Sequence, residues 1–254
     1  MPTIQPKLVA QICHSDAQLY AVKRLRYDVF VSEKGASGHM VDHQQRIEED
    51  RYDAHCTHLV LRDMSRPADD EIVGTYRLMT SAQAQSGFGF YSAGEYDLQP
   101  LLNYTSRVLE LGRSCLHPDY RGGEGMLVLW KALAEFIEKE QIEVLFGVAS
   151  FPGTDPLEYQ DAFAVLADRH LAPPEIRVSA KPPNAIPLRS DPAFVADRKR
   201  AVQQMPSLLK AYLRLGAVVG QGAFVDHDFN SIDVCILLHQ QAINGLRRQI
   251  YTKR

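Results

Sequence analysis

Residues 108–152 constrain this chain more than any other segment. They read VLELGRSCL, then HPDYRGGEG, then MLVLWKALAEFIEKEQ, then IEVLFGVASFP. The first run is rich in Val and Leu and has strand character. The third carries Met126, Trp130, Leu133 and Ile137 at helical spacing. The fourth is nearly all apolar, as a central strand covered on both faces must be. A strand that runs through a helix into a parallel partner strand requires a layered α/β sheet. The turn between them, Arg121-Gly122-Gly123-Glu124-Gly125, stands at a helix N-terminus. There the backbone N–H groups point outward and favour an anion. It matches neither G-x-x-x-x-G-K-[ST] nor G-x-G-x-x-G. From the turn alone, an ordinary glycine-rich β–α connection is the favoured reading.

The flanking segments fit the same architecture. A short strand is expected around 7–12. Ser15 and Gln18 form an S-x-x-Q cap for a helix with Leu19, Val22, Leu25 and Val29 on one stripe. Residues 42–56 are polar and charged and read as a long surface loop. THLVLRD and EIVGTYRLMT are strands, followed by a loop with short helical turns. A helix is expected over 157–168 and another over 194–215. Residues 171–192 hold six of the 14 prolines and read as an extended connection. AVVGQGAFVD and SIDVCILLH close the chain as a hairpin before a basic tail over 240–254. The expected order is β-α-loop-β-β-β-α-β-α-α-β-β, in one α/β domain over residues 1–254.

Composition narrows the function. A net charge of -3 does not point to nucleic acid. No apolar run approaches the roughly 20 residues of a membrane span, and the N-terminus lacks a signal-peptide core. The chain reads as cytoplasmic. Its four cysteines contain no C-x-x-C pair, so neither a disulfide framework nor a thiolate metal cage is expected. The scattered histidines lack a second well-spaced pair, and no metal is expected.

Several polar residues stand out against apolar surroundings. Glu110 and Arg113 lie in the strand LELGR. Three residues apart, they point to opposite faces unless a bulge intervenes, and Gly112 is the expected place for one. Glu110 is then either a general base with a raised pKa or the structural partner of Arg113. Arg77 is a cation inside the apolar strand VGTYRLM, where an unpaired charge is costly. Asp50 and Asp53, in EEDRYDAHC, are either acids of a ligand site or part of a solvated charged loop. Arg26 and Phe30 share a helix face at i, i+4. Cys115 has His117 nearby but no evident acidic helper, which argues against an acyl-enzyme.

The strand, the Arg-Gly-rich turn, the helix and the apolar strand together resemble the acyl-CoA-binding centre of the GNAT acyltransferases. More narrowly, LRYDVFVSEKGA, VGTYRL, LELGRSCLHPDYRGG, LFGVASFPG and MPSLLKAYLRLGA followed by DFNSIDVCILL resemble the bacterial L-ornithine N-alpha-acyltransferases. These segments are spread over almost the whole chain. The turn departs from the superfamily pattern, since Glu124 and Met126 replace the usual glycine and small residue.

The resemblance implies a mixed β-sheet flanked by helices, with splayed central strands. It implies that a 3-hydroxy fatty acyl group passes from acyl carrier protein, with acyl-CoA as the alternative donor, to the alpha amine of L-ornithine. The product would be lyso-ornithine lipid. The alternatives are another N-acyl amino acid synthase, an acetyl-CoA-dependent small-amine acetyltransferase, or a non-catalytic acyl-binding module. No tightly bound cofactor is implied beyond the acyl-phosphopantetheine donor. Glu110 and Arg113 become catalytic candidates. Cys115, Arg121, Gly122, Gly123, Gly125 and Ser150 become donor-binding candidates. Arg26, Phe30, Asp50, Asp53 and Arg77 become amine-site candidates. A lipid-like product and the tail residues Arg247, Arg248, Lys253 and Arg254 imply transient contact with the inner membrane surface. Arg198, Lys199 and Arg200 are cations for docking an acidic carrier protein, or a solvated helix face.

Overall fold

The computed structural model describes residues 6–241. In chain order the first elements are β1 (Leu8–Ile12), α1 (Asp16–Arg26), a π-helical continuation (Tyr27–Glu33), β2 (Val41–Asp42), β3 (Ile47–Glu48), β4 (Thr57–Asp63) and β5 (Ile72–Thr80). Next come α2 (Ser81–Ser86), β6 (Tyr96–Asp97), α3 (Gln99–Tyr104), β7 (Val108–Leu116), α4 (Gly125–Lys139), β8 (Val144–Pro152) and α5 (Gln160–Arg169). The chain continues through β9 (Ser179–Ala180), β10 (Ala185–Ile186), α6 (Arg198–Gln204), α7 (Ser207–Arg214), β11 (Val218–Val219), β12 (Ala223–Asp226) and β13 (Ser231–His239). This is a mixed sheet flanked by helices. The contacts divide the chain into two compact units, and β7 passes from one to the other at Glu110–Leu111.

The first unit holds the chain up to Phe88 and Leu111–Gln141. In it β4 lies antiparallel between β1 and β5, with Ile12 opposite Leu59 and His58 opposite Arg77. Neighbouring residues of a strand face opposite ways. Val60 and Cys115 accordingly join Val22, Leu25 and Val29 of the first helix in one apolar cluster. Leu61 and Leu116 face α4. There a Cβ on Gly74 would stand 2.5 Å from Leu116 and 3.3 Å from Leu129, so only glycine admits this packing. Ser15 caps α1 by accepting from the Gln18 amide at 3.2 Å. The Gln18 side chain reaches back to the His14 amide, one residue earlier than a capping box requires.

The second unit holds Gly89–Glu110 and the chain from Ile142 onward. β7 enters it parallel to β8, pairing Val108 with Val144 and Glu110 with Phe146, where the ladder stops. On its other edge β8 pairs antiparallel with β13 over its whole length, from Val144 opposite His239 to Pro152 opposite Ser231. β12 and β10 continue the sheet.

Two expected elements differ. The helix expected over 194–215 is two helices. Asp197 caps α6 by accepting from the Lys199 and Arg200 amides, so the helix starts there. Pro206 lacks an N–H and divides α6 from α7. The stretch 42–56 is no plain surface loop. It contains the β2–β3 hairpin, and Glu48 and Asp53 within it are buried. The basic tail lies outside the described residues, apart from its first two positions.

Candidate active site

Six charged side chains of the first unit close into a ring. Arg26 donates through Nε to Glu48 and through Nη1 to Asp53 at 2.7 Å. Arg77 donates through Nη1 to Asp53 at 2.8 Å and to Asp50 at 2.6 Å. Arg113 donates through Nη2 to Asp50 at 2.8 Å and through Nε to Glu48 at 3.1 Å. Each guanidinium thus joins two carboxylates and each carboxylate two guanidinia. Three formal positive charges balance three negative ones. The Arg26 and Glu48 side chains are fully buried, and those of Asp50 and Arg113 are the least buried at 7%.

Burial by itself would push all three carboxyls up, but the paired arginines outweigh it. Arg26 and Arg77 hold Asp53 far below the ordinary carboxylate range. Arg113 and Arg26 hold Glu48 low, and Arg77 and Arg113 do so for Asp50. Burial lowers His58, whose Nε2 meets the Asp53 carbonyl at 3.0 Å.

Arg26, Asp50, Asp53 and Arg77, expected at the amine site, are therefore gathered together, but largely to one another. The Arg26 side chain is fully buried and that of Asp53 is 4% exposed. Beyond Arg26 the helix widens to π geometry. Phe30 is half-buried against the α1 cluster, under the Lys34 ammonium. Glu48 was missed by sequence reasoning. It sits in the acidic run IEED, which looks solvated, and its partners lie 22 and 65 positions away.

The bulge expected near Gly112 exists one residue later. Arg113 has φ 48°, a left-handed value that a residue with a side chain adopts at a cost. The four hydrogen-bonded ring contacts around Glu48 and Asp50 hold it there. Glu110 does not pair with Arg113. Its buried carboxylate accepts from the Tyr91 amide at 2.9 Å and from the Ser92 amide at 2.6 Å. The two oxygens thus fix the segment before β6, and each keeps a further lone pair.

Cys115 faces the apolar cluster, not the donor turn. Burial pushes its thiol up to about 12, so it stays protonated and is no nucleophile. The nearby His117 ring accepts from the Asp119 amide instead.

Arg121, Gly122, Gly123 and Glu124 of the turn are exposed, and Gly125 is buried. Gly122 has φ +74°, and a Cβ on Gly125 would stand 3.1 Å from Leu61 and 3.2 Å from the Tyr120 carbonyl. A Cβ on Gly123 would meet nothing, so packing does not demand glycine there. α4 starts at Gly125 with no side-chain cap, and its first amides have no partner within the helix. Arg121 is engaged within the chain. Its Nη1 and Nη2 each meet a Glu33 oxygen at 2.7 Å, and its Nε donates to the Leu116 carbonyl at 3.1 Å. Ser150 is exposed on β8, opposite Asp233.

A strand with a left-handed residue, a glycine turn and a helix followed by a parallel strand form the arrangement that resembles the GNAT acyltransferases. A family described as acetyltransferase (GNAT) domain matches residues 25–131. An L-ornithine N(alpha)-acyltransferase of Rhodobacter capsulatus is 48% identical over 94% of this chain and 93% of its own length. One from Brucella abortus is 37% identical over 94% and 86%. The chain belongs to the L-ornithine N(alpha)-acyltransferase family. Two solved structures share the fold. The N-acyl amino acid synthase FeeM from uncultured soil microbes has a TM-score of 0.56 at 10% identity, over 95% of each chain. The acyl-homoserine-lactone synthase LasI has 0.52 at 17%, over 95% of this chain and 96% of its own. No helix among the described residues is long and apolar enough to cross a membrane.

Proposed function

We propose that this chain transfers a 3-hydroxy fatty acyl group from acyl carrier protein to the alpha amine of L-ornithine. The observation that carries this reading is the 48% identity, across nearly both full lengths, to the Rhodobacter capsulatus L-ornithine N(alpha)-acyltransferase. The amides of Gly122, Gly123 and Gly125 hold the phosphate of the phosphopantetheine arm. Glu110 takes the proton of the alpha ammonium through a free lone pair. The neutral amine attacks the thioester carbonyl, the C–N bond forms, the C–S bond breaks, and the thiol leaves with a proton. Backbone N–H groups near Arg113–Cys115 stabilise the oxyanion. Asp50 and Arg113, the least buried members of the ring, face the charges of ornithine. The other four hold these two in place.

Acyl carrier protein is favoured as donor because Glu124 stands beside the turn and repels a polyanion more than a single phosphodiester. Arg198 and Lys199 lie exposed on α6, while Arg200 pairs with Asp161 at 3.3 Å. Such surface cations raise encounter rates with an acidic partner. The lipid-like product makes the inner membrane surface its destination. The test is mass spectrometry of the product from purified protein, 3-hydroxyacyl-acyl carrier protein and an equimolar set of amino acids. N-alpha-acyl ornithine should dominate, and a dominant amide of lysine or glutamine would refute the acceptor.

A further inference from the structure

The donor turn contains one contact that the transfer reaction does not require. Glu33 and Arg121 are 88 positions apart, yet both guanidinium Nη atoms meet both carboxylate oxygens at 2.7 Å. The third nitrogen, Nε, is committed to the Leu116 carbonyl. Three of the five N–H donors of the cation next to the turn are therefore committed within the chain, two of them to one carboxylate. Its partner is the last residue of the π-helical segment Tyr27–Glu33. π geometry is rare and concentrates at functional places. Here the segment ends at once. The Gly35 amide donates to the Val31 carbonyl at 3.0 Å, Ala36 donates to Phe30 at 2.8 Å, and Gly35 takes φ 78°. Arg121 also holds the Glu33 carboxyl below its usual range, which places its negative charge there at neutral pH.

The charges around the turn are thereby altered. Arg121 alone would offer a free guanidinium to any phosphate. Paired with Glu33 it contributes no net charge, and Glu124 adds a negative one. The backbone amides remain as the attractive groups. They suit one phosphodiester, whereas coenzyme A carries a pyrophosphate and a further phosphate monoester. We infer that Glu33 is a donor-specificity residue. By locking Arg121, it excludes the polyphosphate end of coenzyme A and leaves the turn to the single phosphate of a carrier-protein arm. This inference rests on the reading of the turn as the phosphopantetheine cradle.

Removing the lock should therefore admit coenzyme A. Both side chains are 39% exposed, so Glu33→Gln is a mild change for the fold. Coenzyme A alone, titrated calorimetrically against the full chain, should bind about 5–10-fold more tightly to E33Q than to the unaltered protein. The gain should fade as salt rises, because it is a charge effect. The double change E33Q/R121Q should abolish the gain. In parallel, the ratio of kcat/KM for the carrier-protein donor over the matched coenzyme A thioester should fall in E33Q. A ratio near one in the unaltered protein would sink the donor reading, and the lock with it. A high ratio that E33Q leaves unchanged, with unchanged coenzyme A affinity, would sink the lock alone. So would a gain that survives in E33Q/R121Q.

Discussion

The ring of Arg26, Glu48, Arg113, Asp50, Arg77 and Asp53 and the pair Arg121–Glu33 use the same chemistry in opposite settings. Both join guanidinium to carboxylate with contacts near 2.7 Å. The ring is buried and closed, so no member can leave without stranding a charge in a poorly solvated place. The pair is solvated on one side, and water can take over either partner at little cost. The ring therefore serves as scaffold. It pins the bulge at Arg113 and ties the segment 47–53 to α1 and β5. The pair serves as a discriminator, because it cancels the charge of the guanidinium beside the turn while both partners stay at the surface. Burial, not residue type, separates the two roles.

The largest expected effect comes from opening the ring. Asp53→Asn removes a carboxylate shared by Arg26 and Arg77 and should lower the unfolding free energy by about 3–5 kcal/mol, read from urea midpoints. A loss below about 1 kcal/mol would mean that water or neighbouring groups already satisfy the two guanidinia. The sign of the pH dependence follows from the same ring. Its three carboxyls are held below their ordinary values of 3.8 and 4.5 in the folded state. The unfolded chain therefore binds more protons between those values and the lowered ones. Stability from the ring is fully present above about pH 5 and is lost as pH falls below about 4.5. D53N should flatten this acid limb.

At the other end of the scale stands a null effect. With its thiol pushed up to about 12, Cys115 is thiolate only to the extent of roughly 10⁻⁴ at pH 8. Iodoacetamide at pH 8 should leave Cys115 unmodified, by peptide mass mapping, while turnover continues. Rapid carboxymethylation of Cys115 in the folded protein would contradict its place in the α1 cluster.

How much of this was legible beforehand depends on distance along the chain. The strand, turn and helix of 108–139 and the following strand are contiguous, and their periodicities announced them. Arg77 was legible as a cation that needed a partner, because an apolar strand surrounded it. Its actual partners were legible only as acids in EEDRYDAHC. Glu48 was not, since local composition cannot separate a solvated carboxylate from one whose partners arrive from α1 and β7. The Glu33–Arg121 pair was hidden for the same reason, and a π turn has no periodicity to betray it. The helix expected over 194–215 is two, because Pro206 lacks the N–H that would continue it.

Glu110 tests the account most directly, because it alone is assigned to the proton transfer while being anchored by backbone amides. Glu110→Gln should lower kcat for N-acylation of ornithine by about 10²–10⁴-fold, with the unfolding midpoint retained within a few degrees. Near-normal turnover in a folded E110Q protein would contradict the account and leave Glu110 as an anchor for Tyr91 and Ser92 only.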